Sequence, residues 1–108
     1  MFARILEFEV KMEKKQEFIK IVKNEILPIL KKQPGFLELL PFFPEKLEEK
    51  KIINISFWDT RLNAERYEKE WYPKVYEMLK PFLTTPVITR FYNLETTIAE
   101  HFEKAVAA

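Results

Sequence analysis

Residues 52–60 read Ile52-Ile53-Asn54-Ile55-Ser56-Phe57-Trp58-Asp59-Thr60, and their side chains sort by parity. Ile53, Ile55 and Phe57 fall on one face; Ile52, Asn54, Ser56 and Trp58 fall on the other. A period of two is the signature of a β-strand. Large apolar groups on both faces mean that both must be covered. Downstream, Asp59 or Thr60 can cap a helix starting near Arg61 that carries Leu62, Tyr67 and Trp71. Tyr72-Pro73 interrupts it, and Pro73 suits the first turn of a further short helix bearing Val75, Tyr76, Leu79 and Phe82.

Upstream, residues 44–51 form a charged turn and residues 36–43 a second strand, in which Pro41 marks an edge or a bend. Residues 13–32 change period. Phe18, Ile21, Val22, Ile26, Ile29 and Leu30 make one helical stripe, interrupted by Glu25 and opposed by lysines. Pro28 is expected to kink this helix, and Gln33-Pro34-Gly35 to end it. Residues 2–10 alternate again, with Phe2, Leu6, Phe8 and Val10 on a face that also carries Arg4. A fourth strand is expected over 87–94, where Val87 and Phe91 oppose Ile88, Tyr92 and Leu94. Thr97-Ile98-Ala99-Glu100 fits a capping box, predicting a C-terminal helix over 97–106.

The order strand, helix, strand, strand, helix, strand predicts an α+β, ferredoxin-like βαββαβ fold with an antiparallel four-stranded sheet and an extra C-terminal helix. One domain spanning 1–108, with its core at 2–95, accommodates it. Both long helices then lie on one side of the sheet. The other side stays broad and apolar, which marks a protein interface, so a homodimer through the sheet face is expected.

Composition removes several function classes. The chain of 108 residues has 18 basic and 17 acidic side chains and a formal net charge of +1, so no strong field draws nucleic acid or an anionic membrane. It has no cysteine and a single histidine, His101, so thiolate chemistry and a multi-histidine metal site within one chain are excluded. Its single glycine, Gly35, excludes a P-loop or a dinucleotide-binding glycine motif. No secretory leader and no apolar run near ~20 residues is present, so a soluble cytoplasmic protein is expected.

Three segments resemble the antibiotic-biosynthesis monooxygenase family of dimeric α+β barrels. They are Leu30-Lys31-Lys32-Gln33-Pro34-Gly35-Phe36, Ile55-Ser56-Phe57-Trp58-Asp59-Thr60 and Pro86-Val87-Ile88-Thr89-Arg90-Phe91-Tyr92. The resemblance spans residues 2–95 and implies a pocket between sheet and helices, and a dimer joined through the sheets. Its best-known enzymes oxidise phenols, hydroquinones and anthrones with O2 and no cofactor; other relatives degrade haem or isomerise small metabolites. The ligand histidine of the haem-degrading relatives lies on the second helix. Residues 60–82 hold no histidine, so haem degradation is not expected. A fold of this kind hosts many functions, so the site must carry the functional argument.

Asn54 and Trp58 lie four residues apart on one strand and point to the same face. An amide and an indole N–H there can donate to one substrate oxygen and stabilise a forming enolate or phenolate, which is electron-rich enough to pass an electron to O2. The resemblance maps the family's catalytic Asn and Trp onto these two residues. The other reading gives Asn54 a local backbone partner and Trp58 a place in the core. Tyr67 and Trp71, one helical turn apart, are candidate walls for a small aromatic substrate, with Tyr72 and Tyr76 as alternatives. The resemblance implies that a tyrosine from this region completes the site. Glu25, if buried, is a candidate base; at the stripe's edge it reaches water instead. Arg4 and Arg90 can bind an anionic substrate or pair with a strand carboxylate such as Glu7. His101 reads as a surface residue. The reading that emerges is a cofactor-free monooxygenase of a small quinol-like aromatic, set against a non-catalytic dimer that binds a small apolar ligand or serves as an interaction module, with an isomerase of a small metabolite as a third reading.

Overall fold

The computed structural model describes residues 1–100. Its strands are β1 (Phe2–Glu9), β2 (Phe36–Phe42), β3 (Lys51–Trp58) and β4 (Ile88–Asn93). They form one antiparallel sheet in the order β2-β3-β1-β4. That is the ferredoxin-like arrangement expected from the element order. Pro41 does lie on an edge strand, where its missing amide costs no ladder bond to a second neighbour. A bulge between Phe36 and Glu38 shifts the register of β2, so Phe36, Leu39 and Pro41 pair with Trp58, Ser56 and Asn54.

The long first helix is not uniform. A short 3-10 turn (Met12–Lys14) leads into α1 (Lys15–Ile21), a π-helical turn (Val22–Ile26) and α2 (Leu27–Lys31). The proline ring of Pro28 would collide with the carbonyl four residues earlier in a regular helix. The wider turn just before it makes room, so the expected disturbance takes the form of a π-turn. That turn advances the chain by less rotation per residue than an α-helix. It therefore changes which side chains face the sheet. Phe18, Ile26 and Leu30 are buried as the stripe predicts, whereas Glu25 is turned out and exposed.

After β3, the Thr60 side chain caps α3 (Arg61–Glu70) by accepting from the Asn63 amide at 3.2 Å. α4 (Tyr72–Leu79) follows with Pro73 in its first turn. Gly35 sits at φ +79°, between α2 and β2, and a Cβ there would collide with the Asp59 and Asn63 side chains. The same glycine's carbonyl accepts from the Asp59 amide at 2.9 Å, which ties the start of β2 to the end of β3. Both requirements explain why the chain's one glycine stands there.

The helices cover one face of the sheet. Phe2, Leu6, Phe8, Ile52 and Trp58 form the buried side, with Phe18, Ile26, Leu30, Tyr67, Val75 and Leu79 above them. The opposite face carries Ile5, Ile53 and Ile55, half-buried, and the exposed Phe42, Ile88 and Tyr92. Glu7, on this open face, bridges Arg90 at 2.8 Å and Lys51 at 3.5 Å. The Arg90 guanidinium is the main cause of a Glu7 carboxyl held below its ordinary range. The C-terminal helix does not begin where the capping box placed it: residues 98–100 are non-helical, and the Thr97 hydroxyl donates to the Glu95 carboxylate at 2.8 Å instead of capping. Positions 101–106, and His101 with them, lie outside the described residues.

Candidate functional site

Between the sheet and the helices lies a cavity of about 300 Å³. The strand register sets its floor. On the helix-facing side, β1 and β3 present successive rungs: Phe2 beside Trp58, Arg4 beside Ser56, Leu6 beside Asn54, Phe8 beside Ile52. The last three rungs line the cavity and the first does not. Phe18, Val22, Lys23 and Ile26 close it from the first helix, Leu39 and Phe43 from the β2 side, and Tyr67, Tyr72 and Val75 from α3 and α4. One end is therefore polar, built from Arg4, Ser56, Asn54 and the two tyrosines; the other is hydrocarbon.

The polar end holds groups without partners. Among the described residues, Arg4 Nη2, Asn54 Oδ1 and the Tyr72 hydroxyl are buried and make no hydrogen bond. Buried polar atoms in this condition are uncommon and call for an explanation. All three line the same cavity, so a ligand with a hydroxyl, carbonyl or oxyanion would satisfy them. Arg4 is only 3% exposed. Its Nε donates to the Glu68 carboxylate, and its guanidinium lies 4.1 Å from the Tyr72 ring centre and 5.5 Å from that of Tyr67.

The sequence-derived pair is split by this geometry. Asn54 and Trp58 share a face as expected, and Asn54 reaches the cavity. Trp58 does not. It is fully buried, stacks on Tyr67 at 5.2 Å and meets Phe36 edge-on at 5.5 Å. Its indole N–H donates to Ser56 Oγ at 2.9 Å. Tyr67 lines the cavity, but Trp71 is half-buried outside it, with Lys74 Nζ 4.8 Å from its ring centre. Glu25 is in solvent because of the π-turn, and Arg90 is committed to Glu7 on the far side of the sheet. Neither reaches the cavity.

Sequence reasoning placed Arg4 on the apolar face but sought its partner in Glu7. The partner is Glu68, because Glu7 points through the sheet to the other side. Ser56 was legible only by its parity with Asn54 and Trp58. Among the described residues, no group of three or more His, Asp or Glu side chains could hold a metal ion, and no helix is long and apolar enough to cross a membrane.

Burial pushes the Tyr67 phenol well above its ordinary value of 10.0, with Arg4 opposing the shift, and burial raises Tyr72 in the same way. Folding therefore favours the protonated phenols. That stability is complete below pH 10 and is lost as pH climbs beyond it, by up to ~1.4 kcal/mol per pH unit for each such tyrosine. Thermal unfolding should show a Tm that falls steeply above pH 10, and Tyr67→Phe should flatten the fall. An alkaline profile identical in wild type and variant would contradict the burial of that hydroxyl.

A family model described as antibiotic biosynthesis monooxygenase matches residues 1–74. No curated protein matches the chain. Among solved structures, SnoaB, a cofactor-independent oxygenase from Streptomyces nogalater, superposes with a TM-score of 0.72 at 16% identity, covering 92% of this chain and 97% of its own. A monooxygenase from the gene ActVA-Orf6 of Streptomyces coelicolor, solved with nanaomycin D, gives 0.71 at 15% identity over 93% and 92%. The NE2512 protein of unknown function from Nitrosomonas europaea gives 0.69 at 11% identity over 94% and 92%. At these identities the likeness is one of fold.

Proposed function

This chain belongs to the antibiotic biosynthesis monooxygenase family, and from that premise we propose that it is a cofactor-independent monooxygenase of a small, quinol-like aromatic. The observation that carries the reading is Asn54: its Oδ1 is buried and unpartnered at the polar end of an otherwise apolar cavity. An amide carries both an acceptor oxygen and a donor NH2, so Asn54 can accept from a substrate hydroxyl or, with its side chain turned over, donate to the oxyanion that replaces it. Stabilisation of that anion is where the protein lowers the barrier. The anion passes one electron to O2, the two radicals couple to form a C–O bond, and the hydroperoxide loses water. The substrate gives up its O–H and one C–H hydrogen to one oxygen atom as water and keeps the other oxygen as a new carbonyl.

The cavity wall has no carboxylate or imidazole among its described residues, and its tyrosines are held protonated. A substrate that ionises readily by itself suits such a wall. The test is oxygen uptake with a panel of hydroquinones and naphthols, wild type against Asn54→Ala. No uptake across the panel, or uptake indifferent to that change, removes the reading. A second reading, a ligand-binding module without turnover, is favoured by the Trp58 donor being engaged with Ser56, which leaves Asn54 without the indole beside it.

The assembly we propose is a homodimer joined through the open sheet face. Ile5, Ile53, Ile55, Phe42, Ile88 and Tyr92 form an apolar surface there, the kind of exposed patch that marks an interface. Sedimentation velocity should give twice the chain mass, and Ile55→Lys should return it to one. A monomeric wild type would overturn the proposal.

A further inference from the structure

We infer that the cavity selects an aromatic monoanion, a phenolate or carboxylate on a flat ring system, with Arg4 as the group that binds the anionic oxygen and Glu68 as the tether that holds Arg4 in place. This inference rests on the small-aromatic reading of the same site and narrows its substrate class.

Charge is the first support. Two charged residues line the cavity among the described residues, Arg4 and Lys23, and both are basic. Lys23 is exposed and Arg4 is buried, so an approaching anion meets one cation outside and another within. The second support is the state of the guanidinium. It has five N–H donors. Nε is spent on Glu68, while Nη2 is buried with no partner and belongs to a residue on the cavity wall. A donor of this kind is preorganised for an acceptor that has yet to arrive.

Rigidity is the third. The guanidinium lies 4.1 Å from the Tyr72 ring centre and 5.5 Å from that of Tyr67, and with the Glu68 contact these restrain the planar head. Glu68 is 33% exposed against 3% for Arg4, so the carboxylate can shift toward water when an anion takes up the guanidinium, and the arginine cannot. Shape is the fourth. Same-face rungs of a strand lie roughly 7 Å apart. The three rungs from Arg4/Ser56 to Phe8/Ile52 therefore fit a ligand one or two fused rings long, with its charge at the arginine end and hydrocarbon against Phe8 and Phe18.

Fluorescence titration at neutral pH with 1-hydroxy-2-naphthoate and with uncharged 1-naphthol tests this, and the ratio of the two affinities is the readout. The wild type should favour the anion by about tenfold or more, the scale of one charge-assisted hydrogen bond. Glu68→Gln keeps a carbonyl that can accept from Arg4 Nε, and so the tether, but removes the competing charge; it should raise the ratio several-fold, whereas Arg4→Gln should bring it to about one. Should Arg4→Gln fail to fold, Glu68→Gln still decides, since a merely structural role for the cluster would move both affinities together and leave the ratio alone. A wild-type ratio near one, or one unmoved by Glu68→Gln, overturns the inference. Oxygen uptake with neutral hydroquinones alongside a ratio near one would remove this inference and leave the monooxygenase reading standing; anion preference without uptake on any substrate would do the reverse.

Discussion

If the proposed oxygenase reading holds, Asn54→Ala should lower kcat for oxygen uptake by roughly a hundredfold, the usual cost of removing one donor to a developing oxyanion, and should leave the protein no less stable. The second half of that expectation discriminates. Asn54 Oδ1 is buried without a hydrogen bond, and such a group costs ~1–3 kcal/mol. Truncation to alanine removes the unsatisfied atom along with the packing of a side chain that is only partly buried. A residue kept for folding would lose stability on truncation; one kept for chemistry loses turnover alone. Parallel measurement of kcat and of the denaturation midpoint separates the two. A large fall in stability with kcat intact would place Asn54 in the scaffold and end its catalytic role.

The sequence made Asn54 findable because a strand's period of two is rigid. Once Ile53, Ile55 and Phe57 take one face, Asn54, Ser56 and Trp58 have no choice but the other, and the register with Arg4, Leu6 and Phe8 follows from pairing. The helices were less legible. The spacing from Phe18 to Glu25 fits one stripe only at 3.6 residues per turn, and the π-turn at Val22–Ile26 breaks that count. Pro28 was the only signal, and it says that the helix must yield without saying how. The Arg4–Glu68 contact joins residues 64 apart in the chain; it depends on how α3 is rotated above the sheet, which no local pattern encodes. Trp58 shows the same limit. Its face was legible, but whether its N–H points into a cavity or at a neighbouring hydroxyl is a matter of rotamer and packing.

Trp58 is where the strongest effect on stability should appear. Its ring is fully buried between Phe36 and Tyr67, and truncation to alanine should cost about 3–5 kcal/mol. A domain of this size has only ~5–15 kcal/mol to lose, so the urea midpoint should fall by about 2 M or more. Trp58→Phe keeps an aromatic face against Tyr67 and removes the N–H. Ser56 Oγ, which also donates to the Arg4 carbonyl at 3.4 Å, then loses one partner, a change worth ~1 kcal/mol. Because the indole N–H is engaged with Ser56 and the ring does not reach the cavity, Trp58→Phe should lower kcat for oxygen uptake by less than about tenfold, well short of Asn54→Ala. The two variants thus rank the two donors that the strand places on one face. If Trp58→Phe proves as damaging to turnover as Asn54→Ala while its urea midpoint stays near wild type, the indole must release Ser56 and reach the substrate during the reaction, and Trp58 would have to be moved from the cavity's support into its chemistry.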